Sequence, residues 1–303
     1  MKSLKFFSLF CLVPLLMFIV ACEDGGGGSS DSGTVSMSVT DAKPLLPENV
    51  TNLFVEFSEV RVHKPGEGWI ALDLVESPYT IDLLQFRNGN TTELVPPAKL
   101  GSGKYTQVRI GVDSATMRFE IKDGAGNVIG TEDRTVEIPS ENLKTDKNFT
   151  IDVGSDSAMD IVIHFDLSMS VVVSGNASNP TYKLKPVMHL FEDPLQAATI
   201  HGSIDNSSFG DSGKATIVLI AQSDGQEFTR VEVSKSTDAE STDFDIYWVV
   251  PNESYTVQID LNQDDETIDI DCEEFVENIN LEAGEIFELN EGQPIKKSDG
   301  ICN

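Results

Sequence analysis

Asp260, Asn262, Asp264 and Glu266 place hard oxygen ligands at alternate positions of one short stretch, and Asp271 follows where a closing carboxylate would sit. A calcium ion, which takes about six to eight oxygens at roughly 2.3–2.6 Å, wants that pattern. Asp265 stands where a tight calcium loop needs glycine, and Asp271 is shorter than the usual bidentate Glu, so a solvated acidic hairpin is the competing reading. Calcium is the only ion suggested; otherwise no cofactor is expected. The four histidines, His63, His164, His189 and His201, are far apart and none shows the i, i+4 spacing of a zinc-binding helix. His164 and Asp166 share one strand face, which reads as a hydrogen-bonded or solvated outer face. Gly101-Ser102-Gly103-Lys104 lacks the first glycine of a phosphate loop, since Ala98 stands there, and a strand follows it; it reads as a hairpin turn. There is neither a Gly-x-Ser-x-Gly elbow nor a His-Glu-x-x-His motif. With no nucleophile, base and orienting group to assemble, the expectation is a protein that is not an enzyme. Trp69, beside a turn, is the candidate platform for stacking a glycan, whereas Trp248 shares parity with Phe244 and Ile246 and reads as core.

The chemistry with the most context is at Cys22. Lys2 and Lys5 precede an apolar run from about Phe6 to Val20, and a small residue, Ala21, comes just before the cysteine. These are the parts of an export signal, so residues 1–21 are excluded from the fold. The run is interrupted by Pro14 and is shorter than the ~20 residues that cross a bilayer. Ile19-Val20-Ala21-Cys22 resembles the bacterial lipobox, with Ile19 where that family usually has Leu. The resemblance implies that Cys22 becomes a diacylated N-terminus. Two acyl chains at about 0.8 kcal/mol per buried CH₂ make a stable anchor. The implied partner is a membrane reached through lipid. The implied location is the bacterial cell envelope, at the outer membrane on its periplasmic or surface face.

Residues 22–33 follow the anchor, and Glu23-Asp-Gly-Gly-Gly-Gly-Ser-Ser-Asp-Ser-Gly33 has the composition of a flexible tether spanning roughly 18 Å. The chain has 303 residues, with 21 basic against 50 acidic, for a net charge of −29. A body this acidic does not bind nucleic acid, which needs clustered Lys and Arg. Envelope proteins or glycans are the partners it leaves open. Of four cysteines, Cys11 leaves with the signal and Cys22 takes lipid, so Cys272 and Cys302 remain. In an oxidising compartment that pair reads as a disulfide closing a loop of about 31 residues and contributing on the order of 3–4 kcal/mol.

The elements that must carry these residues have period two. Val35, Met37 and Val39 alternate with Ser36, Ser38 and Thr40. Leu53, Val55 and Phe57 hold one parity and Val60 and Val62 the other, which predicts a bulge near Ser58. Trp69 to Leu74, Lys104 to Val112, Thr116 to Lys122, Arg134 to Ile138 and Asn148 to Val153 read as further strands, and Asp160 to Val173 as one long strand. No stretch sustains a helical period. The fold class is therefore all-β: two β-sandwiches, of immunoglobulin- or transthyretin-like kind, behind a signal peptide and tether. The expected boundaries are 34–193 for the first sandwich, 194–198 for a hinge and 199–303 for the second.

Val39-Thr-Asp-Ala42, Val60-Arg-Val-His63, Asp82-Leu-Leu84, Gly103-Lys-Tyr-Thr-Gln-Val-Arg109, Phe165-Asp166 with Ser170, and Leu184-Lys-Pro-Val187 occur in an order that resembles the bacterial lipoprotein family called domain of unknown function 4382. Lys43, between Ala42 and Pro44, departs from its pattern. The resemblance implies an envelope β-sandwich and carries over no catalytic residues. Farther on, Ala198 to Ile204, Phe244 to Pro251, Tyr255-Thr-Val257 and Leu281 to Glu285 resemble the carboxypeptidase regulatory-like, transthyretin-like sandwich, with Asn252-Glu253-Ser254 in a turn where glycine is usual. That resemblance implies an accessory spacer or binding unit. Together they suggest a lipid-anchored module for binding, adhesion or scaffolding, with a glycan- or calcium-binding surface lipoprotein as the alternative.

Overall fold

The computed structural model describes residues 31–41, 46–47, 49–87, 89–139, 142–144, 151–154, 156–176, 179–261 and 275–296. The strands expected from alternation are there, with changed boundaries. In chain order they begin β1 (Ser32–Asp41), β2 (Val50–Lys64), β3 (Gly68–Leu72), β4 (Tyr79–Asp82), β5 (Thr92–Gly101), β6 (Gly103–Tyr105) and β7 (Gln107–Lys122). They continue with β8 (Val128–Glu137), β9 (Asn142–Lys144), β10 (Ile151–Val153), β11 (Ala158–Phe165), the helical turn α1 (Leu167–Ser170), β12 (Val171–Asn176), β13 (Asn179–Leu184) and β14 (Met188–Phe191).

One sheet has the order β14-β11-β1-β5, with β1 parallel to β11 and antiparallel to β5. Pro96 and Pro97 lie within β5, the outer strand of that sheet, where a missing N–H breaks no ladder. The facing sheet follows β12-β13-β8-β7-β2-β3, with β4 also on β2 and β9 on β7. Val35, Met37 and Val39 from the first sheet and Leu53, Val55 and Phe57 from the second are fully buried between them. The rings of Phe57 and Phe165 meet edge to face across the core at 5.9 Å. The expected bulge is present: the β2–β7 register shifts on both sides of Phe57. Gly111 lies opposite it, where a Cβ would sit 2.7 Å from both Ser58 and Glu59 side-chain atoms.

Two sequence expectations change. The expected Lys104–Val112 strand is split, with Lys104 and Tyr105 in β6 on β10, and its remainder from Gln107 runs together with Thr116–Lys122 in the single strand β7. Asp160 to Val173 is not one strand: β11 ends at Phe165 and α1 intervenes before β12. Asp166 caps that turn by accepting from Met169 N at 3.2 Å, an Asp at an N-cap offering the backbone an alternative to the ladder. Alternation alone does not register such a stop.

The remaining strands are β15 (Ala198–Asp205), β16 (Lys214–Ala221), β17 (Glu227–Ser234), β18 (Ser241–Val249), β19 (Ser254–Asp260), β20 (Phe275–Asn280) and β21 (Ile286–Glu288). They form a β18-β15-β21 sheet and a β17-β16-β19-β20 sheet. Between the two sheets lies a second core that includes Ile200, Ile217, Leu219, Phe244, Tyr255, Val257 and Ile259. Both cores and all these sheets belong to one compact unit, Asp31–Asn303. Asn252, in the turn between β18 and β19, takes φ 60°, the left-handed conformation that glycine would otherwise supply.

Candidate functional site

The polar residues carried by the sequence motifs converge on backbone. Asp41, at the end of β1, is 1% exposed, and its Oδ1 accepts the amide of Leu167 at the start of α1 at 3.2 Å. Its neighbour Thr40 donates its hydroxyl to the carbonyls of Phe86 and Asn90. The Asp166 amide donates to Val187 O, the Lys185 amide to Ser170 O, and the Val187 amide to Ser170 Oγ at 2.8 Å. Asp82 accepts from the amides of Leu53 and Leu84 and from the side chains of Asn52 and Gln85. Tyr105 and Tyr255, both fully buried, each turn a hydroxyl back to a carbonyl a few residues upstream, Gly101 at 2.7 Å and Val250 at 2.9 Å. Such tyrosine corners fix a chain crossing between sheets. Burial holds the Tyr105 and Tyr255 hydroxyls above the ordinary phenol range. In chemical terms these side chains satisfy amides and carbonyls that would otherwise be orphaned in the interior.

A second polar group lies where the two cores approach each other. His164 on β11 pairs in register with His189 on β14, their rings stacked at 6.0 Å. His189 stacks in turn on Phe228 of β17 at 4.5 Å, and Phe228 meets Tyr255 at 5.3 Å. His164 is fully buried, and neither ring nitrogen has a hydrogen-bond partner. Burial, reinforced by the nearby His189, pushes its pKa well below the usual imidazole value. Asp166 is also fully buried; loss of solvent raises its carboxyl pKa, and the hydroxyls of Ser168 and Thr229 oppose the rise. Arg230 and Glu227 of β17 form a bidentate ion pair beside it. The face that His164 and Asp166 share is thus covered rather than solvated, because strands from the other sandwich close over it.

The apolar part of the same junction is Val162, Phe191 and Trp248, with Phe191 and Trp248 rings 5.5 Å apart. Trp248 is buried, as its parity suggests, but not in its own sandwich. A register shift between β15 and β18 and a φ of 60° at Trp248 turn the indole toward the first sandwich. Sequence reading missed His189 and Phe228 as members of this site. The available signal was an aromatic in each of two strands separated by the hinge, which carries no register information.

The remaining candidates divide by position. Trp69 on β3 is half-buried, with the Arg109 guanidinium 3.9 Å over its ring and His63 at 5.1 Å. Asp260 ends β19. Asn262, Asp264, Glu266 and Asp271 lie outside the described residues, as do Cys22, Cys272 and Cys302. Among the described residues, no group of three or more His, Cys, Asp or Glu is placed to hold a metal ion, and no helix is long and apolar enough to cross a membrane.

Two clefts open on the second sandwich. One of about 540 Å³ is polar and lined by Asp205, Glu240, Ser241, Asn290, Gln293 and Lys296. The other, about 340 Å³, lies between β17 and β18, with Val231, Val233, Phe244 and Tyr247 among its walls. At its rim Asp245 binds both His201 Nδ1, at 2.8 Å, and the Tyr247 hydroxyl, at 3.0 Å. That carboxylate raises the pKa of His201.

The family model described as domain of unknown function (DUF4382) matches residues 32–186. No curated protein matches the chain. Among solved structures it is similar to a leucine-rich repeat protein from Bacteroides thetaiotaomicron, at 10% identity and TM-score 0.22, over 88% of this chain and 27% of that one. The chain therefore spans only about a quarter of that protein's length. It is also similar to a candidate cell adhesion protein from Bacteroides fragilis, at 11% identity and TM-score 0.19, over 85% of this chain and 91% of that one. Its likeness to the major pilin of Streptococcus pyogenes is 10% identity and TM-score 0.13, over 84% and 92% of the two chains.

Proposed function

The chain belongs to the family described as domain of unknown function (DUF4382), and from that premise we propose that it is a non-catalytic binding or scaffold module of the bacterial cell envelope, held at a membrane by lipid on Cys22. The observation that carries the non-catalytic reading is the use made of the motif residues. Asp41, Asp82, Asp166 and Ser170 each spend a side-chain oxygen on backbone amides, and such groups position chain rather than substrate. What lies outside that scaffold is surface, and surface is what a binding module uses.

Support for the anchor is the sequence Ile19-Val20-Ala21-Cys22 behind a basic and apolar leader, followed by a Gly/Ser tether that keeps the sandwiches clear of the headgroups. The run Phe244 to Pro251 and the following Tyr255-Thr-Val257 support reading the second sandwich as a carboxypeptidase regulatory-like spacer. Two measurements test the proposal. Mass spectrometry of the native protein is expected to find residues 1–21 removed and acyl mass on Cys22, and Cys22→Ala is expected to move the protein from the membrane to the soluble fraction. An unmodified Cys22 with the leader intact would overturn the anchor. Affinity capture from intact cells with the full chain is expected to recover a stoichiometric envelope protein. Turnover of a substrate that is lost on substitution of Asp245 or His201 would overturn the non-catalytic reading instead.

A further inference from the structure

The hairpin of β7 and β8 runs past the rest of its sheet. Every residue from Ile121 to Asp133 is exposed, including Ile121, Val128 and Ile129 at 42%, 53% and 66%. The β7 side loses its neighbour at the start of β2, whose first pair is Val50 with Phe119. On the other side, β13 pairs with β8 only at Val136 and Glu137. From Val128 to Asp133, then, β8 offers a row of backbone donors and acceptors to water. A two-stranded ribbon with apolar side chains in water is marginal alone, and an open edge of this kind is a template for another strand.

We propose that this edge is a self-association surface, and that its occupant is β8 of a second copy of the chain, added antiparallel about a two-fold axis. Charge selects the occupant. The whole chain carries −29, yet residues 118–134 hold three cations and four carboxylates. All three cations are engaged, Arg118 with Asp133, Arg134 with Glu132 and Lys122 with Glu120. A basic partner finds stronger attraction elsewhere on the molecule, and an anionic membrane finds no uncompensated cation here. A second copy meets an equally near-neutral strip, so self-repulsion here is low despite the charge of the whole chain. An axis perpendicular to the sheet and passing through Gly130 keeps each side-chain face continuous. It sets Ile129 opposite the partner's Thr131, and Val128 opposite the partner's Glu132. No like charges face each other in that register, and the β-branched pair is a favourable one. Gly130 has nothing within 4 Å of a Cβ position, so the two strands can approach there.

Light scattering and sedimentation equilibrium on the full chain in mild detergent test this. The unsubstituted chain is expected to be dimeric at about 100 µM, and Ile129→Lys to weaken the dimer by about tenfold or more. Gly130→Cys is expected to give a symmetric disulfide dimer under mild oxidation, above the baseline set by the native cysteines, while Gly124→Cys at the ribbon tip gives none. A chain that is monomeric at that concentration would overturn the proposal. So would a dimer indifferent to Ile129→Lys, or a Gly130→Cys variant that does not cross-link above the baseline.

Discussion

His164 holds a neutral imidazole in a fully buried place, stacked on His189 and close to Asp166, with the Arg230–Glu227 pair on the strand that covers them. The consequence for stability has a definite sign. Unfolded, the group titrates near 6.5, whereas folded its pKa is depressed, so as pH falls below about 6.5 the unfolded chain takes up the proton first. The neutral form's contribution is complete above that value and is lost on acidification, at up to about 1.4 kcal/mol per pH unit, until the folded pKa is passed. Asp166 acts oppositely: its raised pKa contributes stability that is full below 3.8 and lost as pH rises through the folded value. On acidification from pH 6.5 to 5 the His164 effect destabilises, and whatever part of that interval lies below the folded pKa of Asp166 carries the opposing one. Calorimetry is expected to show the melting temperature falling across that interval. In His164→Leu, which removes this imidazole and its two unpaired ring nitrogens, the curve is expected to be flatter. A variant with the parent's acid slope would assign the effect to another group.

Among the elements, β15 and β18 show how closely a sheet can depend on one missing side chain. A Cβ on Gly202 would lie 2.4 Å from the Phe244 ring directly opposite it in register. Gly202→Ala is therefore expected to cost about 1–3 kcal/mol, read as a lowered denaturation midpoint at unchanged slope. The same pair of strands marks the limit of what the residues disclose by themselves. Phe244 and Ile246 alternate inward as written, and the bulge near Ser58 follows from the switch between Phe57 and Val60. Both are local patterns, and both were legible. The same alternation assigns Trp248 to its own core, and the register shift beside it sends it to the other sandwich. His164 reads as facing outward for a related reason: period two says which residues share a face, but not whether a distant strand covers that face. The Asp166 cap is legible only once Ser168 and Met169 are considered as a turn, because an Asp within an alternating run looks like one more outward residue. The exposed ribbon of β8 was invisible in the same way, since Val128 and Ile129 have the composition of a buried strand.

At the scale of the molecule, the junction joins two cores that would otherwise melt independently. Val162 and Phe191 come from one and Trp248 from the other. One cooperative transition is expected on heating. Trp248→Ala, which removes about 3–5 kcal/mol of packing where the cores meet, is expected to split it into two. A single transition in that variant would mean the polar contacts alone couple the cores. The position of β1 also has a mechanical consequence. It is the first strand of the unit, and it is clamped on both sides, by β11 from Thr34 to Asp41 and by β5. A pull applied at Asp31 along the axis of that strand loads its ladder bonds in shear, all together, rather than peeling them one by one. Drag on the body would thus be met by the sheet's stiffest direction.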